Sequence, residues 1–184
     1  MLTLTILAIL VTAIALWAVT VYNGLVRKRN MVEEAWSGID VQLKRRTDLI
    51  PNLVTTVKGY ATHEKSTLEE VVQLRGQAQT AQGVAETAQA QGLLGAALGK
   101  LFALAESYPD LKANTTFIQL QNTLEEIEEQ IQMARRYYNG SVRMLNIAVE
   151  SFPSNLIADR FGFSKAEFFE LENSAERSVP EVVF

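Results

Sequence analysis

The stretch LTLTILAILVTAIALWAVTVYNGLVRKR, Leu2 to Arg29, decides the fold. No charged side chain occurs from Met1 to Val26, and Arg27, Lys28 and Arg29 then arrive together. A helix needs about 20 apolar residues to cross a hydrocarbon layer about 30 Å thick, and Leu2 to Val21 supplies them. A secretory leader would place basic residues ahead of a shorter apolar centre, whereas only Met1 precedes this one. Ala18 and Thr20 leave cleavage as the minor alternative. Residues 1–21 therefore read as a retained transmembrane anchor, with Trp17 and Tyr22 as interfacial rings. Basic residues beside a span stay cytoplasmic, which puts the N-terminus outside and the body of the chain in the cytoplasm.

Composition bounds that body. The chain has 184 residues, a net charge of −4 and no cysteine. About 160 residues follow the anchor, enough for one domain with its own core. The absence of cysteine fits a reducing compartment. Charges of both signs are interspersed, so no basic footprint for nucleic acid is present.

Helical spacing runs through the body. Tyr22, Leu25, Arg29, Val32, Trp36, Ile39, Leu43, Arg46 and Ile50 recur in steps of three and four. This predicts one helix from the anchor to about residue 49, a rod of roughly 70 Å, ended by Pro51. Lys44, Arg45 and Arg46 then suit the negative pole of its dipole. Later, Phe117, Leu124, Ile131, Tyr138, Leu145 and Phe152 fall seven apart, with Leu120, Ile127, Ala134, Ser141 and Ala148 between them. Such a heptad demands a long bundle helix over about 114–150, capped by Asn114 or Thr115 and stopped by Pro153. Shorter helices fit residues 52–80 and 84–105. The expected fold is all-α: an N-terminal transmembrane helix continuing into an elongated antiparallel four-helix bundle (22–150), with an aromatic-rich segment over 151–184.

Two segments echo one another: Tyr22-Asn23-Gly24-Leu25-Val26-Arg27 with Asn30, and Tyr138-Asn139-Gly140-Ser141-Val142-Arg143 with Asn146. Their amides are candidates for hydrogen bonds across a helix interface that fix register.

These residues also carry a family resemblance. Tyr22-Asn23, Leu25-Val26 and Arg29-Asn30 lead into Ala35-Trp36-Ser37, Ile39 to Arg46 and Asp48 to Val54. Val57 to Ala61 with His63-Glu64, Tyr108-Pro109, Leu111 to Asn114, Phe152 to Asn155, Phe161 to Phe163 and Phe168 to Glu170 follow in order. Together they closely resemble the LemA family. The resemblance implies a bacterial, membrane-anchored, mostly helical protein with no accepted reaction. It also implies a link of some members to magnetosome membranes, and genes that often neighbour a membrane zinc protease.

No residue set carries catalysis. His63 is the only histidine, and Thr67 stands where a zinc protease helix would place its second. One His and no Cys cannot assemble a usual zinc site. Glu125, Glu126, Glu128 and Glu129 flank the seam at Leu124 and Ile127 and read as a solvated face rather than a di-metal centre. No nucleophile elbow, phosphate loop or dinucleotide fingerprint occurs. No catalytic, cofactor or metal residue is assigned.

Two features invite a binding role. Thr5, Ala8, Thr12 and Ala15 line one face of the anchor with small residues, a surface on which helices approach closely in lipid. Six of the eight phenylalanines crowd the last 33 residues, among them Phe161, Phe163, Phe168, Phe169 and Phe184. These rings are candidates for core, membrane surface or a neighbouring subunit. Ser164 to Glu167 resembles a capping box opening a helix with Phe168, Phe169 and Leu171. Val179 to Phe184 reads as an extended segment able to add to a sheet edge or enter a groove. The function expected is a membrane-anchored scaffold that contacts lipid and self-associates, the alternative being an adaptor for a membrane enzyme such as a zinc protease.

Overall fold

The computed structural model describes residues 1–61 and 63–170; Thr62 and residues 171–184, with the expectations placed on Phe184 and its neighbours, lie outside the description. The architecture is all-α. Six helices follow one another among the described residues: α1 (Leu2–Lys58), α2 (Lys65–Thr80), α3 (Gly83–Ala105), α4 (Pro109–Lys112), α5 (Thr115–Glu150) and α6 (Ser154–Phe161). No strand occurs among the described residues.

The helix α1 does not stop at Pro51 as its sequence suggests, but carries the proline inside and runs on to Lys58. Proline has no N–H, so the carbonyl of Thr47, four residues earlier, loses its helical partner. Thr47 is buried, where an unpaired carbonyl is costly. Arg75 of α2 repairs the loss by donating its Nε–H to that carbonyl at 2.8 Å. The chain turns instead after Lys58, where the N–H groups of Tyr60 and Ala61 donate to the Val57 carbonyl at 3.0 and 2.9 Å. The second helix consequently begins at Lys65, not near Asn52.

Shorter-range signals act more simply. Between α2 and α3 the chain reverses at Gly83, whose φ of +76° suits glycine. The backbone N–H of Gln82, the residue before α3, donates to the Glu86 carboxylate at 3.2 Å. Asn114 caps α5, its Oδ1 accepting the Phe117 N–H at 2.9 Å. Along α5 the seam residues Phe117, Leu124, Ile131, Tyr138 and Leu145 are all buried. Phe152 leaves the pattern: it lies beyond the helix end and is 79 % exposed.

The chain divides into two units. The first comprises residues 1–38 and 136–167. Its core gathers Leu25, Ala158 and Phe163, with Val21, Val26, Ala148, Val149 and Ile157 packed around them. Nothing in this unit covers the apolar window of the anchor. The second unit comprises residues 39–135 together with residues 168–170. There α1, α2, α3 and α5 share one core, built from Ile50, Leu53, Val57, Leu68, Val71, Leu94, Leu101, Phe117 and Leu124.

The proline repair is testable. Arg75→Ala strands the Thr47 carbonyl and lowers unfolding free energy by about 1–3 kcal/mol. In a Pro51→Ala background the introduced alanine supplies the missing N–H, and the same Arg75 substitution costs markedly less. A double-mutant cycle by denaturant unfolding measures this coupling, and additive losses would contradict the repair.

Candidate functional site

In the first unit the anchor is an open surface. Thr5, Ala8, Thr12 and Ala15 are all exposed. The threonine hydroxyls turn back onto their own helix: Thr5 donates to the Leu2 carbonyl at 2.7 Å and Thr12 to that of Ala8 at 2.8 Å. Thr20 does the same to Leu16 at 2.9 Å. These three hydroxyls thus find acceptors within the helix, as an apolar surrounding demands.

The echoed polar motifs diverge. Asn23 and Asn30 are exposed, so neither is an amide buried at a helix interface. Tyr22 instead receives the edges of two rings, Phe161 at 4.9 Å and Phe163 at 5.7 Å between centroids. In the second copy the polar groups reach the C-terminal segment rather than another helix. Asn146 brackets Ala166, accepting its N–H at 2.8 Å and donating to its carbonyl at 3.0 Å. Tyr138, its ring tilted against Trp36 with centroids 5.5 Å apart, donates its hydroxyl to the Glu167 carbonyl at 2.8 Å. Asn139 is half-buried and engaged.

These bonds explain why Ser164 to Glu167 opens no helix. Side chains from α5 take the backbone groups that a first turn would use, and residues 163–170 run non-helically. The helix of this region comes earlier, as α6, and ends where Gly162 adopts φ +72° and the Phe163 N–H returns to the Ala158 carbonyl at 3.0 Å. The aromatic cluster is therefore split. Phe163 and Phe169 are buried, whereas Phe152, Phe161 and Phe168 are exposed. Arg29, a charge on the apolar seam, lies over the Phe163 ring at 5.4 Å.

The second unit holds a polar centre that its residues, read alone, did not reveal. Arg46 is not a charge at a helix end, because α1 continues past it; its side chain is only 6 % exposed. Its guanidinium donates to the Glu128 carboxylate at 2.8 Å, to the Gln91 carbonyl at 3.0 Å and to the Gln91 side-chain oxygen. Its Nε has no hydrogen-bond partner among the described residues. Burial holds the guanidinium pKa below its ordinary value, and Glu128 opposes that shift. Glu128 thus leaves the solvated face on which Glu125, Glu126 and Glu129 remain. The cluster borders an open cleft of about 580 Å³, lined further by Gly92, Gly95, Gly99 and Phe169. The one available signal was positional: an arginine among Ile39, Leu43 and Ile50 on a buried seam must find a partner.

No group of three His, Cys, Asp or Glu side chains able to hold a metal gathers among the described residues. What the fold and its relatives define is a membrane-associated helical protein whose N-terminal helix carries one exposed apolar stretch long enough to cross a membrane. Residues 35–184 match the LemA family, and the chain belongs to it. It is 27 % identical over 175 residues to magnetosome protein MamQ 2 of Paramagnetospirillum magneticum, covering 81 % of this chain and 64 % of that protein. It is 26 % identical over 150 residues to protein LemA of Metamycoplasma hominis, covering 80 % and 68 %. The chain spans a little under two-thirds of the length of its MamQ relative.

Two outcomes check this chemistry. Glu128→Ala leaves the Arg46 charge facing only neutral acceptors, and should cost about 2–3 kcal/mol, below the range for a fully buried pair because Glu128 is half-exposed. Adding Arg46→Met to Glu128→Ala should recover much of that loss in denaturant titrations. Separately, desolvation first and the Glu167 charge second push the Tyr138 phenol above its ordinary value of 10.0. Its contribution is complete below pH 10; above that the unfolded chain releases the proton first and stability falls. Tyr138→Phe should start about 1 kcal/mol lower, yet decline less steeply from pH 10 upward in thermal melts.

Proposed function

We propose that this chain is a membrane-anchored helical scaffold of the bacterial inner membrane that self-associates, with its N-terminus outside and its helical units in the cytoplasm. The observation that carries the reading is the open anchor. Its small face, Thr5, Ala8, Thr12 and Ala15, has its hydroxyls folded inward, leaving a smooth surface against which a second helix can pack. Arg27 to Arg29 supports the orientation through the positive-inside bias. The magnetosome names of the MamQ relatives favour a role at membranes over a reaction in solution. No catalysis is assigned to it.

The open cleft beside Arg46 favours a second reading, an adaptor that receives a segment of a membrane enzyme such as a zinc protease. Mass measurement of the full chain in mild detergent separates the two. A scaffold runs as a defined oligomer, and Ala8→Leu with Ala15→Leu shifts it towards monomer. A monomer indifferent to those changes, joined by recovery of a protease whose activity the chain alters, would favour the adaptor.

A further inference from the structure

Phe152 occupies the next heptad position after Leu145, yet it is 79 % exposed, and on α6 Leu156 and Phe161 are 56 % and 59 % exposed. Their height along the first unit is fixed by its packing. Trp36 meets Tyr138, and Ala148 and Val149 pack with Val21, Leu25 and Val26, so α5 descends antiparallel to α1. One α5 residue per α1 residue then brings the Phe152 turn level with Tyr22, where the apolar anchor ends. Phe161 rests directly on the Tyr22 ring at 4.9 Å. A bilayer that receives residues 2–21 therefore reaches these side chains as well.

We infer that the Phe152 turn and α6 form a second membrane-contacting element, covered by the anionic head-group layer of the bilayer that α1 spans. The inference rests on the anchored reading and adds a lipid surface to it. Charge in the unit agrees. Residues 1–38 and 136–167 hold seven Lys and Arg against five Asp and Glu, a net +2, while the whole chain is −4. Arg27 and Arg160 are exposed, Arg27 within about two turns of the end of the apolar stretch and Arg160 next to Phe161. Aromatic rings at the acyl boundary with basic side chains reaching the phosphates is the arrangement of interfacial elements. Asp159, also exposed on α6, is the opposing charge within that helix.

The chain has no cysteine, so single nitroxide labels report depth cleanly. Phe152→Cys, Leu156→Cys and Phe161→Cys alter exposed positions, with Leu10→Cys in the anchor and Glu34→Cys further along α1 as exposed references in the same unit. Each full-length variant, its helicity checked by circular dichroism, is reconstituted in phosphatidylglycerol–phosphatidylcholine vesicles and in phosphatidylcholine alone. Labels at 152, 156 and 161 should favour collision with oxygen over a nickel chelate, as at Leu10 and opposite to Glu34, and more strongly in the anionic vesicles. If they collide with nickel as freely as Glu34 while Leu10 remains in lipid, the inference falls and the anchor stands. Exclusion of both reagents means a protein surface covers the patch, and equal depth in the two lipids removes the anionic preference; either overturns the assignment. A Leu10 label open to nickel would instead defeat the anchored reading itself.

Discussion

Pro51 withdraws one N–H from within α1, about two turns before its end, and the arrangement of the second unit follows from how that loss is met. A helix in water tolerates a freed carbonyl by turning it to solvent; the Thr47 carbonyl is buried and has no such recourse. Arg75 answers from α2, and its bond at 2.8 Å ties the returning helix to the outgoing one at a single height. Continuation of α1 to Lys58 also puts Ile50, Leu53 and Val57 on one helical face, and all three are fully buried. Had the chain turned at Pro51, Leu53 and Val57 would have belonged to a different helix with a different partner face.

Polar groups perform the remaining specification. An apolar seam such as that of α5 favours burial but tolerates sliding, since one leucine replaces another at small cost. Buried hydrogen bonds do not slide. Arg46 fixes α1 against α5 through Glu128 and against α3 through Gln91, while Asn146 and Tyr138 fix the C-terminal segment at Ala166 and Glu167. Each site satisfies groups that would otherwise be stranded, so a shift of register by one residue would lose several bonds together.

What the sequence disclosed and what it concealed divide by range. The anchor, the heptad of α5 and the Asn114 cap depend on neighbours within a turn or two, and each is legible in a short window. The passage through Pro51 depends on a side chain that binds 28 residues away, and the burial of Arg46 on one 82 residues away. Local rules assign Pro51 a break and Arg46 a dipole contact because neither partner enters the window. The Ser164 to Glu167 box failed for the same reason: Asn146 lies 20 residues from Ala166 and competes for the same backbone groups. Arg29 and Arg46 both stand in the three-four series, and the structure sets the first over the Phe163 ring and the second in a buried ion pair.

The end of the seam shows how an exposed apolar residue acquires meaning. Full burial of a phenylalanine is worth about 1.5–3 kcal/mol, and the heptad brings Phe152 to the threshold of a core that already holds Leu145. The chain turns away at Ser151 instead, and Ala158 of α6 takes the place beside Leu25. A small residue at that position lets α6 lie close against α1, which a phenylalanine would prevent. The Phe152 ring stays outside this core, exposed at the height where the apolar stretch of α1 ends. In water that exposure is a loss without return. Beside a bilayer the same ring regains its transfer energy from lipid, so the packing of Ala158 and the exposure of Phe152 become two sides of one solution.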